Sequence, residues 1–151
     1  MAPQVASLPT ALTLNTFVRT GYSFTGWNTQ SGGGGTSYAD GAFYSFVADI
    51  ILYAQWTAQP TYTVTYNGNG NTGGTAPTDS NTYLSGATVT VLGNTGALVR
   101  TGYTFAGWNT AANGSGTNYN AGETFIMGSA NVTLYAQWTA QWIVYLPLVN
   151  K

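Results

Sequence analysis

Four carboxylates make up the chain's acidic inventory: Asp40, Asp49, Asp79 and Glu123. Two of them across a scissile bond could serve a glycoside hydrolase, which needs a proton donor and a second carboxylate as nucleophile or base. With no histidine and no cysteine in 151 residues, Ser-His-Asp triads, thiol nucleophiles, zinc sites and disulfide frameworks are excluded. The Asn/Gly-rich stretch 67–74 lacks the spaced aspartates of a calcium loop and the lysine context of a phosphate loop. Its glycines are expected to serve a turn. Three cations, Arg19, Arg100 and Lys151, leave a net charge of −1, too little to neutralise a phosphate backbone, so nucleic acid is not an expected partner.

Charged residues are 5% of the chain, against roughly 25% in typical soluble proteins. Thr, Asn, Ser, Gln and backbone must therefore solvate the surface. Near-neutral chains tend to associate, and this one carries 5 Trp, 11 Tyr and 6 Phe. No run of about 18 apolar residues is present, so membrane insertion is not expected. Residues 1–17 lack the basic start and continuous apolar stretch of a secretion signal; an exported form is expected to have lost its signal already.

The elements that must position these residues come in two copies. Residues 18–29 read VRTGYSFTGWNT and residues 99–110 read VRTGYTFAGWNT, 81 positions later. Residues 52–59 read LYAQWTAQ and recur identically at 134–141, 82 positions later. Long blocks repeated in fixed order mean two copies of one structural unit. None of the four carboxylates has an acidic counterpart in the other copy. A duplicated active site would keep its acids, so no catalytic residue, no metal ligand and no cofactor is expected, and the chain is not read as an enzyme.

Each copy reads as strands. Segments 62–66, 87–92, 102–108 and 132–138 alternate aliphatic or aromatic residues with Thr, Tyr or Gln, the period of a half-buried strand. The stretches 31–35, 67–74 and 113–116 are Gly/Asn-rich turns. No capped amphipathic helix is evident, and residues 79–84 could hold one short turn. The duplicated Trp27, Trp56, Trp108 and Trp138 are expected in cores, with a sugar-stacking face as their other reading. Arg19 and Arg100 share one position in the two copies; stacking on Tyr22 and Tyr103 or bonding to loop carbonyls is expected, with an anion contact as the alternative. Residues 113–115 and 131–133 match a glycosylation sequon.

The string GYTFAGWNT, a Gly-rich loop and a closing LYAQW resemble the Listeria–Bacteroides repeat, also called the internalin B-repeat, and YTVTYNGNG resembles its opening strand. That resemblance implies a mainly β fold of two tandem, small, β-grasp-like units. It also implies a place on secreted or cell-surface bacterial proteins as spacer, adhesive or partner-binding module. It carries no catalytic residues. The chain departs from the pattern in its low charge and in lacking an LPxTG-type anchor.

Three segments are expected: a truncated first repeat (1–59), a complete second repeat (60–141) and a C-terminal strand (142–151). At an offset of 81, Met1 falls on Thr82, so the first unit lacks a counterpart of 60–81, including the opening strand. At an offset of 82, Val144, Leu146 and Leu148 fall on Tyr62, Val64 and Tyr66. The tail reads as the opening strand of a further unit, apolar on both faces through Ile143, Tyr145 and Pro147. Pro147 lacks a donor and belongs at an edge, bulge or strand end. Trp142, Ile143, Val144, Tyr145, Leu146, Leu148 and Val149 are the expected polymerisation strand. Leu8, Leu12, Leu14, Phe17, Tyr22, Phe24, Trp27, Leu52, Ala54 and Trp56 are the expected acceptor groove. Burying five large side chains is worth on the order of 10 kcal/mol before ordering costs. Insertion into a second copy gives a head-to-tail homopolymer. Self-closure within one chain and a monomeric adhesive or carbohydrate-binding module stay open, as do glycans and other surface proteins as partners.

Overall fold

The computed structural model describes residues 3–6 and 8–142. Two compact units divide between Gln59 and Pro60. Both are built of strands, and no helix occurs among the described residues. The fold is mainly β, as the alternating segments predict. Residues 79–84, which could have held a turn, end instead in a short strand.

The first unit contains β1 (Thr10–Ala11), β2 (Tyr22–Asn28), β3 (Ser37–Tyr38), β4 (Phe43–Tyr44) and β5 (Tyr53–Ala58). Its main sheet runs β3-β2-β5, antiparallel throughout, and β1 pairs with β4 beside it. The second unit contains β6 (Thr61–Tyr62), β7 (Val64–Asn67), β8 (Tyr83–Leu84), β9 (Thr88–Thr90), β10 (Tyr103–Asn109), β11 (Asn118–Tyr119), β12 (Thr124–Ile126) and β13 (Val132–Ala140). Its main sheet runs β11-β10-β13-β7, with β7 parallel to β13. Two small ladders, β6–β8 and β9–β12, complete it.

The repeated motifs have local physical causes. In both units the antiparallel pair shifts register at the glycine of the Gly-Trp motif, between Phe24 and Gly26 and between Phe105 and Gly107. Gly26 has φ 137°, and a Cβ there would come 2.9 Å from the Tyr38 carbonyl oxygen. Only glycine allows the bulge and the close approach of β3. The following Trp27 and Trp108 are then turned inward and buried, whereas Trp56 and Trp138 are partly buried.

The core of the second unit is one cluster: Val64, Tyr66, Val89, Val91, Leu98, Trp108, Met127, Leu134 and Ala136. β7 supplies two of these. Tyr66 meets Trp108 edge-on at 4.8 Å between ring centroids, and its hydroxyl accepts a hydrogen bond from the Leu92 amide at 2.8 Å. Burial pushes the Tyr66 hydroxyl above its ordinary 10.0, so it stays a neutral partner.

A candidate strand-acceptor groove in the first unit

β5 and β13 share the sequence YAQWTA but differ in length. β13 spans nine residues, with Val132–Tyr135 paired to Val64–Asn67 of β7. β5 spans six. The counterparts of Val132, Thr133 and Leu134 are Ile50, Ile51 and Leu52, and none of them is in a strand. Among the described residues β5 pairs with β2 alone, and no described strand pairs with its other edge. Strand character stops where the partner stops.

The side chains record the same difference. Leu134 and Ala136 are fully buried, whereas Leu52 and Ala54 are only partly so. Leu98 is 3% exposed and its counterpart Phe17 44%. Where Val64 and Tyr66 would lie, the first unit has an open cavity of about 580 Å³. Leu12, Phe17, Trp27, Phe46 and Leu52 line it, the counterparts of the core residues Val91, Leu98, Trp108, Met127 and Leu134. Trp27, whose twin carries Tyr66 on its face, borders open space.

Of the residues expected in the groove, Leu12, Phe17, Trp27 and Leu52 line the cavity. Phe24 packs behind it, edge-on to Trp27 at 5.2 Å and to Trp56 at 5.5 Å, and Ala54 follows on β5. Leu8 and Leu14 are well exposed and take no part in the lining. Tyr22 instead carries the Arg19 guanidinium, 3.7 Å above its ring, as Tyr103 carries Arg100 at 4.2 Å. Val5, Tyr44, Ile50 and Ile51 line the cavity without having been expected there. Trp142, the first residue of the expected strand, is 90% exposed. Ile143, Val144, Tyr145, Leu146, Leu148 and Val149 lie outside the described residues.

The 81-residue offset does not hold upstream of Phe17. β1 matches β9 at an offset of 79: Thr10 pairs with Tyr44 as Val89 pairs with Phe125, and the Leu12 and Val91 amides donate to Ala42 and Glu123 carbonyls. The loop from Leu12 to Phe17 is two residues shorter than that from Val91 to Leu98. Met1 therefore falls on Ser80 rather than Thr82.

Asp40 compensates for the shorter loop. The Trp108 indole donates to the Leu92 carbonyl at 2.9 Å, whereas the Trp27 indole donates to the Asp40 carboxylate at 3.2 Å. The same carboxylate oxygen accepts from the Asn15 amide at 2.9 Å. Asp40→Ala strands a partly buried indole N–H and releases the loop. It is expected to cost the first unit about 1–3 kcal/mol, read as a lower urea midpoint of the first transition, with the second unit unchanged.

Of the other carboxylates, Asp49 is in the lining of the cavity and the remaining two brace loops. Asp79 accepts from the Asn81 amide and the Tyr83 hydroxyl, and Glu123 from the Asn120 amide, which holds Glu123 below its ordinary value. Among the described residues no three His, Cys, Asp or Glu side chains gather as a metal site.

With this geometry in hand, the family model described as the Listeria-Bacteroides repeat domain matches residues 2–55 and 62–137. The chain belongs to the Listeria-Bacteroides repeat family. This repeat family is typical of bacterial surface proteins. One relative, from Evansella cellulosilytica, bears a name describing it as a Gly-rich membrane protein; it is 48% identical over 80% of this chain and 14% of its own length. Another, Internalin H of Listeria monocytogenes, is 36% identical over 91% of this chain and 22% of its own. The chain thus spans less than a quarter of either relative. No solved structure matches it.

Proposed function

We propose that this repeat protein is a structural subunit of an extracellular bacterial filament, in which the strand 142–149 of one copy enters the first unit of the next. The observation that carries this reading is the contrast between twins. β7 fills the core of one unit and lends β13 a parallel edge, while among the described residues the other unit has a cavity at the matching place and no strand on the matching edge. The tail's sequence fits that vacancy in register: Leu146 falls on Val64 and Leu148 on Tyr66, opposite Ile50 and Leu52. An unpaired edge beside an apolar groove favours strand addition.

The same register defines what the added strand lacks. The Thr63 carbonyl accepts from the Val132 amide at 3.0 Å, so Thr63 faces β13. Backbone groups alternate sides along a strand, which turns the Thr65 amide to β13 as well. Pro147 falls on Thr65 and brings no N–H. Insertion therefore rests more on apolar burial than on the ladder, in keeping with a tail apolar on both faces.

The test compares the full chain with a variant ending at Gln141, across a range of concentrations, by solution mass and negative-stain microscopy. The full chain is expected to grow into filaments and the shortened one to stay discrete with its second unit folded. A full chain of constant single-copy mass overturns the proposal, in favour of self-closure or a monomeric binding module.

A further inference from the structure

The polar end of the groove is already satisfied, and by a residue of the first unit itself. In the second unit the Leu92 amide donates to the Tyr66 hydroxyl. The counterpart of Leu92 is Thr13, one residue beyond Leu12. The Thr13 amide and hydroxyl both donate to the Gln4 side-chain oxygen, at 2.8 and 2.9 Å. The Gln4 side-chain nitrogen in turn donates to the Ala11 carbonyl at 2.8 Å. Gln4 and Thr13 both line the cavity. A glutamine in one unit thus occupies the hydrogen-bonding role that a tyrosine of the opening strand plays in the other.

We infer that Gln4 makes the first unit selective for an inserted strand with an aliphatic residue, rather than tyrosine, at the position of Leu148. This rests on the strand-insertion reading. Gln4 and Thr13 are exposed while the groove is unfilled. Once an inserted strand covers them, a tyrosine brings its hydroxyl to a donor that Gln4 already holds, and either that hydroxyl or the glutamine side-chain oxygen loses the Thr13 amide as water leaves. Leucine brings no polar atom. The two grooves and their strands are matched in sequence accordingly: Tyr66 enters a unit with no such glutamine, and Leu148 is offered to a unit that has one. The consequence is discrimination between the two strand types this chain contains. An opening strand like β7, exchanged from the second unit of another copy, would carry Tyr66 to the wrong groove and be disfavoured.

The experiment uses the full chain with Leu146→Asp, so that its own tail does not compete. It is titrated with a synthetic peptide of residues 142–151 and with the same peptide carrying Leu148→Tyr. The unmodified peptide is expected to bind about tenfold tighter, the equivalent of one unsatisfied buried polar group. Adding Gln4→Ala to the chain is expected to erase or reverse that preference, because the freed Thr13 amide can then take the tyrosine hydroxyl. Equal binding of both peptides, or a preference indifferent to Gln4→Ala, overturns the inference while leaving strand insertion intact. If neither peptide binds, strand insertion itself falls and the inference with it.

Discussion

Under the proposed strand insertion, Leu146→Asp is expected to leave the protein in discrete form at concentrations where the unaltered chain would polymerise. Leu146 falls on Val64, which is buried in the second unit and paired with Val132. In the first unit the facing residue is Ile50, with Leu12, Phe17 and Leu52 among the walls, and Asp49, also in the lining, has the same sign as the new carboxylate. A carboxylate brought there loses its hydration with no cation to meet it: the cationic residues are Arg19, Arg100 and Lys151, and neither arginine lines the cavity. An uncompensated charge costs at least several kcal/mol, which corresponds to a rise of about a thousandfold or more in the concentration needed for growth. Sedimentation of assembled material against total concentration measures it. Filaments of normal abundance from Leu146→Asp would falsify the register.

The second large effect concerns stability rather than assembly. Asn109 is fully buried, and its side chain ties down the whole Gly-rich loop after β10. Its oxygen accepts from the Ala111 and Gly116 amides at 2.7 and 3.0 Å. Its nitrogen donates to the Gly114 and Gly116 carbonyls and to Asn118. Asn109→Ala abandons several partly buried backbone groups at once. Each unsatisfied group costs about 1–3 kcal/mol, so a loss of about 3–5 kcal/mol is expected for the second unit, among the largest that a single substitution produces. Asn109→Asp keeps the acceptor but sets a buried carboxylate oxygen against the Gly114 and Gly116 carbonyls and the Asn118 side-chain oxygen, so it should cost at least as much. Urea unfolding followed by tryptophan fluorescence checks both. A loss under about 1 kcal/mol for Asn109→Ala would mean that water replaces the clip.

Asn28 makes the same bonds in the first unit, to Gln30, Gly33, Gly35 and Ser37. The motif GWNT was visible in the sequence as a repeat, and its tryptophan read correctly as core. Its asparagine did not stand out, because a buried amide and a solvated one look alike until the loop that it binds is in place. The strands were legible because Thr alternates with Val, Tyr and Leu. The lining of the cavity was legible in part: Leu12, Phe17, Trp27 and Leu52 sit in or beside aligned apolar runs. Leu8 and Leu14 belong to the same apolar N-terminal stretch as Leu12 but are exposed, and residue type alone does not separate them from it. Gln4 and Asp40 carry no signal in the sequence, since each takes over a bond that the other unit makes with a different kind of atom, a hydroxyl in one case and a carbonyl in the other. Such substitutions of chemistry emerge only when equivalent bonds are compared.

β7 lies parallel to β13, not antiparallel. An inserted strand that copies this arrangement fixes the direction of every subunit relative to its neighbour. A polymer built by the proposed insertion would then have a polarity: one terminus would offer an unfilled cleft, the other an apolar tail segment with no acceptor. The two termini differ in composition and in accessible chemistry, so they should elongate at unequal speeds and accept different caps.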